Sequence, residues 1–325
     1  MAVEIPLPPS ELTAYVGGPD ADDARYEEVG RLSRAEILAR LPEDWSFDGK
    51  RVLDFGCGAG RTLRHFREEA RVGEFYGCDI DRPSIVWLVE NMSPPFHAFP
   101  NDEIPPLPLE GDSFDLIWAI SVFTHISDHW SAWLVELHRL LREGGLLFAT
   151  IFGPDVSEAW GNVPANDRAA RAESPRAADR VGMNVLHHGR PWVDGGPAVF
   201  LSDWWIREHW GRAFDVVSIE HDGFLPRRDW RGQGVVLLRK RAVEVTVEEL
   251  ERIDPTDPRE IEALKHNIRQ LHHESWKARD AVAWLQSQRA VLAESIVWLE
   301  SQRVALAESV EWLESQRAES STIES

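Results

Sequence analysis

From Arg51 onward, short apolar runs of strand character alternate with stretches of helical period. RVLDF at 51–55 leads into a helix expected from about Gly60 to Ala70, EFYGCD at 74–79 into one near Ser84 to Asn91, and FDLIWAI at 114–120 into one over Ser131 to Arg142. Trp133, Leu134, Leu137, Leu140 and Leu141 share one stripe of that third helix, and Gly144-Gly145 stops it ahead of the strand LLFATIF. Strands separated by helices imply a parallel sheet. A helix near Ser202 to Trp210 then precedes FDVVSIE and GVVLLRK, which read as a closing pair of edge strands, so the core is expected to end near Arg241. Residues 154–200 carry many Gly, Pro and Ala and no sustained period, and read as a long insertion of lid or acceptor-binding type.

Beyond Pro258 the period changes to seven. Ile261, Ile268, Val282, Ile296 and Val310 fall at a, interrupted by Ser275, Arg289 and Arg303, while d is Leu from Leu264 to Leu313 except for Ala278. AWLQSQRAVLAESI, VWLESQRVALAESV and EWLESQR also repeat every 14 residues and place Trp284, Trp298 and Trp312 at c. A single helix of about 60 residues is roughly 90 Å long, longer than a domain it would have to lie on. Self-association of residues 257–317 as a parallel dimer or trimer is therefore expected, and there Glu260 with Lys265 and Glu274 with Arg279 are complementary g-to-e′ pairs. The expected organisation is an N-terminal cap over 1–44, a catalytic domain over 45–242 with its insertion at 154–200, a linker over 243–256, a coiled coil over 257–319 and a disordered tail over 320–325.

Composition narrows the function classes. Forty-three per cent apolar residues in 325 suffice for a sizeable core. No run of eighteen apolar residues and no basic, apolar leader occurs, so no transmembrane segment is expected and the cytoplasm is the default compartment. A net charge of -20 repels a phosphate backbone and argues against nucleic acid as partner. Cys57 and Cys78 are the two cysteines, too few for a disulfide framework or a zinc site, and both read as small buried residues; no metal is expected.

The chemistry concentrates where RVLDF runs into GCGAG. Asp54, Gly56, Gly58 and Gly60 form D-x-G-x-G-x-G at a strand-to-helix turn, where glycines let backbone approach a ligand and take positive φ. The third glycine of a nicotinamide fingerprint is replaced by Arg61, and Asp54 suits the amino end of a methionine moiety. The next strand ends in YGCDID, which sets Asp79, followed by Ile80, where a carboxylate accepts ribose hydroxyls; capping of the chain by Asp79 is the structural alternative. After the third strand, Asn101 and Asp102 offer an amide or carboxylate to an adenine amino group, or form a plain turn. Cys57 in the loop and Ser121 beyond FDLIWAI complete the expected cofactor contacts.

Taken in order, VLDFGCGAGR, YGCDID, FDLIWAISVFTHI and LHRLLREGGLLFAT resemble the class I S-adenosylmethionine-dependent methyltransferases over about residues 45–241. The resemblance implies a Rossmann-like fold with a mixed seven-stranded sheet whose last strand is antiparallel, S-adenosyl-L-methionine as cofactor, and Asp54, Gly56, Gly58, Asp79 and Asn101 as its contacts. The variant with PPSELTAYVGG, FGCGAGR and SVFTHI is similar to a bacterial group associated with glycosyltransferases of surface-polysaccharide assembly, which implies glycan-assembly enzymes as partners.

A sugar hydroxyl needs a base, and His125 in FTHI follows the fourth strand at the carboxyl edge of the sheet. Packing beside the cofactor, or capping of the next helix, is the competing role for it. His187, His188 and Trp192 in the insertion are either acceptor contacts or ordinary loop residues. The expected function is O-methylation of a glycan or a small hydroxylated metabolite. A non-catalytic scaffold organised by the coiled coil is the alternative.

Overall fold

The computed structural model describes residues 5–17, 22–153, 182–192, 195–225 and 232–323. Two compact units divide the chain, Met1–Ile268 and Arg269–Ser325.

The first unit is built on a seven-stranded sheet in the order β3-β2-β1-β4-β5-β9-β8. Its parallel strands are β1 (Arg51–Phe55), β2 (Glu74–Asp79), β3 (Phe96–Pro100), β4 (Phe114–Ala119) and β5 (Leu141–Ile151). The last strand, β9 (Gln233–Lys240), runs antiparallel to both β5 and β8 (Phe214–Phe224). This is the Rossmann-like methyltransferase arrangement, and the strand order reverses beside β1, which fixes where a ligand meets the carboxyl edge. The two strands expected as a closing edge pair are not both at the edge. β9 lies inside, between β5 and β8, which explains why Val235, Val236 and Leu238 are fully buried whereas β8 keeps partly exposed positions.

Alternation along β4 shows how the sheet is held. Leu116 and Trp118 face one core and Ile117 and Ala119 the other, as the two-residue period of a strand requires. Trp118 stacks on Phe66 at 4.8 Å and lies 6.2 Å from Phe75. Truncating such a side chain to alanine costs about 3–5 kcal/mol. The helices α1 (Ser10–Gly17), α2 (Asp23–Arg40), α3 (Arg82–Met92), α4 (Trp130–Leu140) and α5 (Asp203–His209) accompany the sheet. Asp22 caps α2 by accepting the Arg25 amide at 2.7 Å, and Asp81 caps α3 by accepting that of Ser84 at 3.2 Å.

Several boundaries differ from the sequence expectation. The helix expected over Gly60 to Ala70 is a series of turns with two 3-10 stretches, Leu63–Phe66 and Glu69–Arg71. Three positive-φ glycines delay any helix start, and α2 presses on the turn so closely that a Cβ on Gly30 would lie 2.1 Å from the Arg61 carbonyl. The third predicted helix stops at Leu140, and β5 begins at once, bulging before it resumes its register at Leu146. Within the expected insertion, residues 154–181 and 193–194 lie outside the described residues, but the rest holds a small antiparallel pair, β6 (Met183–Leu186) with β7 (Ala198–Leu201). These four-residue strands were too short to register as a period.

The segment expected as a linker contains α6 (Val247–Glu251), closed by a reciprocal cap between Thr246 and Glu249 and anchored by fully buried Leu250. The final helix, α7 (Pro258–Ile323), starts inside the first unit, where Ala263 is buried and Asn267 Nδ2 donates to the Met183 carbonyl at 2.9 Å. It also runs through residues expected as a tail. In the second unit its large apolar side chains are exposed, among them Leu285, Leu292, Leu299, Trp298 and Trp312.

Candidate cofactor and active site

The glycine loop is fixed by hydrogen bonds to the end of β2. Gly56 N and Cys57 N donate to the Cys78 carbonyl at 2.8 and 3.0 Å, and Gly58 N donates to Asp79 Oδ2 at 2.7 Å. Gly56, Gly58 and Gly60 all have positive φ, and a Cβ on Gly56 would sit 2.3 Å from Val122 Cγ2. The buried Cys57 thiol donates to the Gly58 carbonyl at 3.3 Å, and burial pushes the Cys57 and Cys78 thiols well up.

Asp79 accepts twice, from Gly58 N and, through Oδ1, from Asp81 N at 2.8 Å. Burial raises its pKa, against the pull of those amides. Ile80, which follows it, is half-buried. Asp79 thus fastens the chain, the structural role weighed from the sequence, and its partly buried carboxylate keeps lone pairs that could accept from hydroxyl groups.

Asp54 Oδ2 and Asn101 Oδ1 are among the buried side-chain oxygens that have no hydrogen-bond partner among the described residues. Burial lifts the Asp54 carboxyl to about 7, with the Trp118 indole and Arg61 opposing and Asp79 adding to the rise. Asn101 spends its Nδ2 on the Asp102 carbonyl at 2.8 Å, which leaves the amide oxygen as its free face. An unpaired buried acceptor costs about 1–3 kcal/mol. An ammonium for Asp54 and an adenine amino group for Asn101 are donors that would satisfy these atoms, so the chemistry of the residues fits S-adenosylmethionine. Asp102, by contrast, points to solvent and pairs with Arg82 at 3.3 Å.

Past β4 the turn Ser121-Val122-Phe123-Thr124-His125 joins the loop to the hairpin. Ser121, in the left-handed region at φ 60, donates its amide to Thr150 Oγ1 at 2.7 Å and accepts Gln233 Nε2 at 2.5 Å. Val199 N donates to the Thr124 carbonyl at 2.9 Å, which fastens β7 over this edge. His125 Nδ1 lies 2.8 Å from the Pro197 carbonyl, and its ring meets Trp192 edge-on at 5.3 Å, with Phe152 at 6.2 Å. Facing a carbonyl, Nδ1 must carry the proton, so Nε2 is the lone-pair nitrogen. Burial lowers the pKa of His125, only partly offset by Pro197.

The structure thus brings Asp54, the glycines, Asp79, Asn101 and Ser121 to one sheet edge. Trp192 stands beside His125, whereas His188 is turned to Asp128 at 3.1 Å. Sequence reasoning missed Val122, Thr150 and Gln233, whose places depend on strand register and carry no local signal. No group of metal-ligating residues forms among the described residues.

A family described as methyltransferase domain matches residues 26–195. Phthiotriol/phenolphthiotriol dimycocerosates methyltransferase 1 of Mycobacterium ulcerans is 28% identical over 147 residues, 45% of this chain and 50% of that protein. Malonyl-[acyl-carrier protein] O-methyltransferase of Enterobacter lignolyticus is 27% identical over 181 residues, 54% of this chain and 68% of that protein. The chain thus spans half the length of the mycobacterial relative. Among solved structures, phosphoethanolamine N-methyltransferase 1 of Haemonchus contortus, in complex with phosphoethanolamine and S-adenosylhomocysteine, overlays with a TM-score of 0.48 at 19% identity, covering 80% of this chain and 52% of that one. With its family matched over half its length on the fold described above, the chain belongs to the S-adenosylmethionine-dependent methyltransferases.

Proposed function

We propose that this chain methylates an oxygen of a hydroxylated acceptor, a glycan or a small hydroxylated metabolite, in the cytoplasm. The observation that carries the reading is His125. Its Nδ1–H is held on the Pro197 carbonyl, its pKa is lowered, and Nε2 is left as acceptor at the carboxyl edge of the sheet. S-adenosylmethionine supplies, when bound, a methyl group on a positively charged sulfur. Asp54 would hold its amino group, Asp79 its ribose and Asn101 its adenine. His125 Nε2 would take the proton that the acceptor hydroxyl gives up as its oxygen is methylated. Such a base contributes about 10²–10⁴-fold.

Trp192, Phe152 and Phe200 give the space near His125 an aromatic side, which suits the apolar face of a sugar and equally an acyl chain. The acyl alternative draws support from the names of the relatives, which include a fatty-acid O-methyltransferase of Mycolicibacterium smegmatis. A carboxylate acceptor needs no base, which is why His125 favours the hydroxyl. Self-association through residues 257–317 and association with glycan-assembly enzymes belong to the same proposal. Transfer of radiolabelled methyl to hydroxylated glycans, but not to free fatty acids or malonyl thioesters, supports it. Transfer to carboxylates alone, undiminished in His125→Ala, contradicts it.

A further inference from the structure

The second unit exposes an apolar surface that a single chain does not use. Leu285, Leu292, Leu299, Leu306 and Leu313 are 58–66% exposed, and Trp284, Trp298 and Trp312 are 61–63% exposed. At roughly 150–250 Å² for each fully buried indole, the three tryptophans alone offer several hundred Å². That already matches the largest apolar patch an ordinary monomer tolerates.

The sequence around this surface specifies its occupant. Ile296 and Val310 at a over Leu at d favour two strands when the helices are parallel. Arg289 and Arg303, also at a, point the same way, because a two-stranded seam lets an arginine stem pack while its head reaches the rim. A third helix would enclose those charges at a desolvation cost. In a parallel pair, g of one chain faces e five residues later in the other. The facing pairs are then Ala281 with Gln286, Gln288 with Ala293, Ser295 with Glu300, Gln302 with Ala307, and Ser309 with Glu314. Every pair joins one small residue to one long one.

A slip of one heptad destroys that match, setting Ala281 against Ala293 and Gln288 against Glu300, and opposes Arg289 to Ile296. An antiparallel pair has no such pairing of g with e. The tryptophans obey the same code. Side chains on a helix lean toward its N-terminus over the residue three earlier, and for Trp284, Trp298 and Trp312 those residues at g are the small Ala281, Ser295 and Ser309. A small residue at each of those g positions leaves room for an indole to cross toward the long e side chain of the partner.

We propose that the helix after Ile268 joins two copies of this chain as a parallel, in-register coil, its register read by this 14-residue code of small and long residues, arginine and tryptophan. The inference deepens the self-association proposed above and does not depend on the methyl-transfer chemistry. Sedimentation equilibrium of the full chain should give twice the 37.0 kDa of one chain. Leu292→Cys and, separately, Leu306→Cys, oxidised in glutathione buffer, should each form a disulfide between like residues in most of the protein, because facing d positions in register bring like sulfurs together. A mass of one, three or four chains, or failure of both variants to cross-link while the mass stays that of two chains, overturns the proposal. Binding of S-adenosylhomocysteine, followed on the same samples, fails or succeeds independently.

Discussion

The Asp79 carboxylate accepts the amide of Gly58 at 2.7 Å, so that the residue expected to hold the ribose also holds the glycine loop in place. Asp79→Ala should therefore do two things. It should weaken S-adenosylhomocysteine by about ten-fold or more, the worth of a hydrogen bond to a charged group at about 1.5–3 kcal/mol, and it should lower the melting temperature. Asp79→Asn, which keeps an acceptor oxygen for Gly58, should recover the melting temperature more than the affinity. Calorimetry and thermal unfolding on the same samples separate the two roles.

Asp54 predicts a pH dependence. Its folded pKa of about 7 lies well above the ordinary carboxylate range, so this group opposes folding increasingly as pH rises from about 4 to 7. A ligand ammonium favours the ionised carboxylate and reverses that. Affinity for S-adenosylhomocysteine should climb several-fold between about pH 6 and 7.5, then flatten once the Asp54 carboxylate is ionised. Asp54→Asn should bind weakly with no rise over that interval.

For His125 the lowered pKa means that the neutral ring persists below the ordinary histidine range. With cofactor saturating, the acid limb of kcat should lie below pH 6.5. His125→Ala should lose about 10²-fold in turnover and keep affinity for S-adenosylhomocysteine within a few-fold. Equal losses in rate and affinity would make His125 a packing residue beside Trp192.

The sheet was readable in the sequence because its strands are apolar runs set between turn signals. VLDF and FDLIWA are buried on both faces, and such runs need no tertiary knowledge to recognise. The glycine loop was equally legible, since positive φ at Gly56, Gly58 and Gly60 leaves its mark as glycine itself. What failed were features decided by distant neighbours. The expected first helix gave way to turns because α2 crowds Arg61, thirty-one residues from Gly30 in sequence. Gln233 meets Ser121 only because β9 inserts beside β5, and β6 and β7 are stabilised by pairing and by the Thr124 carbonyl rather than by their own four-residue patterns. Asp102 was indistinguishable from Asn101 in sequence, and the ion pair with Arg82 separates them.

Titration of S-adenosylhomocysteine into the intact protein by calorimetry tests most directly whether the glycine-loop site binds the S-adenosylmethionine cofactor. Binding in the micromolar range at one site per chain, near neutral pH, with a matching rise in melting temperature, is the predicted result. No heat and no thermal shift with ligand at about millimolar concentration, where RT ln(1 + [L]/Kd) for a micromolar site gives about 4 kcal/mol, would contradict it.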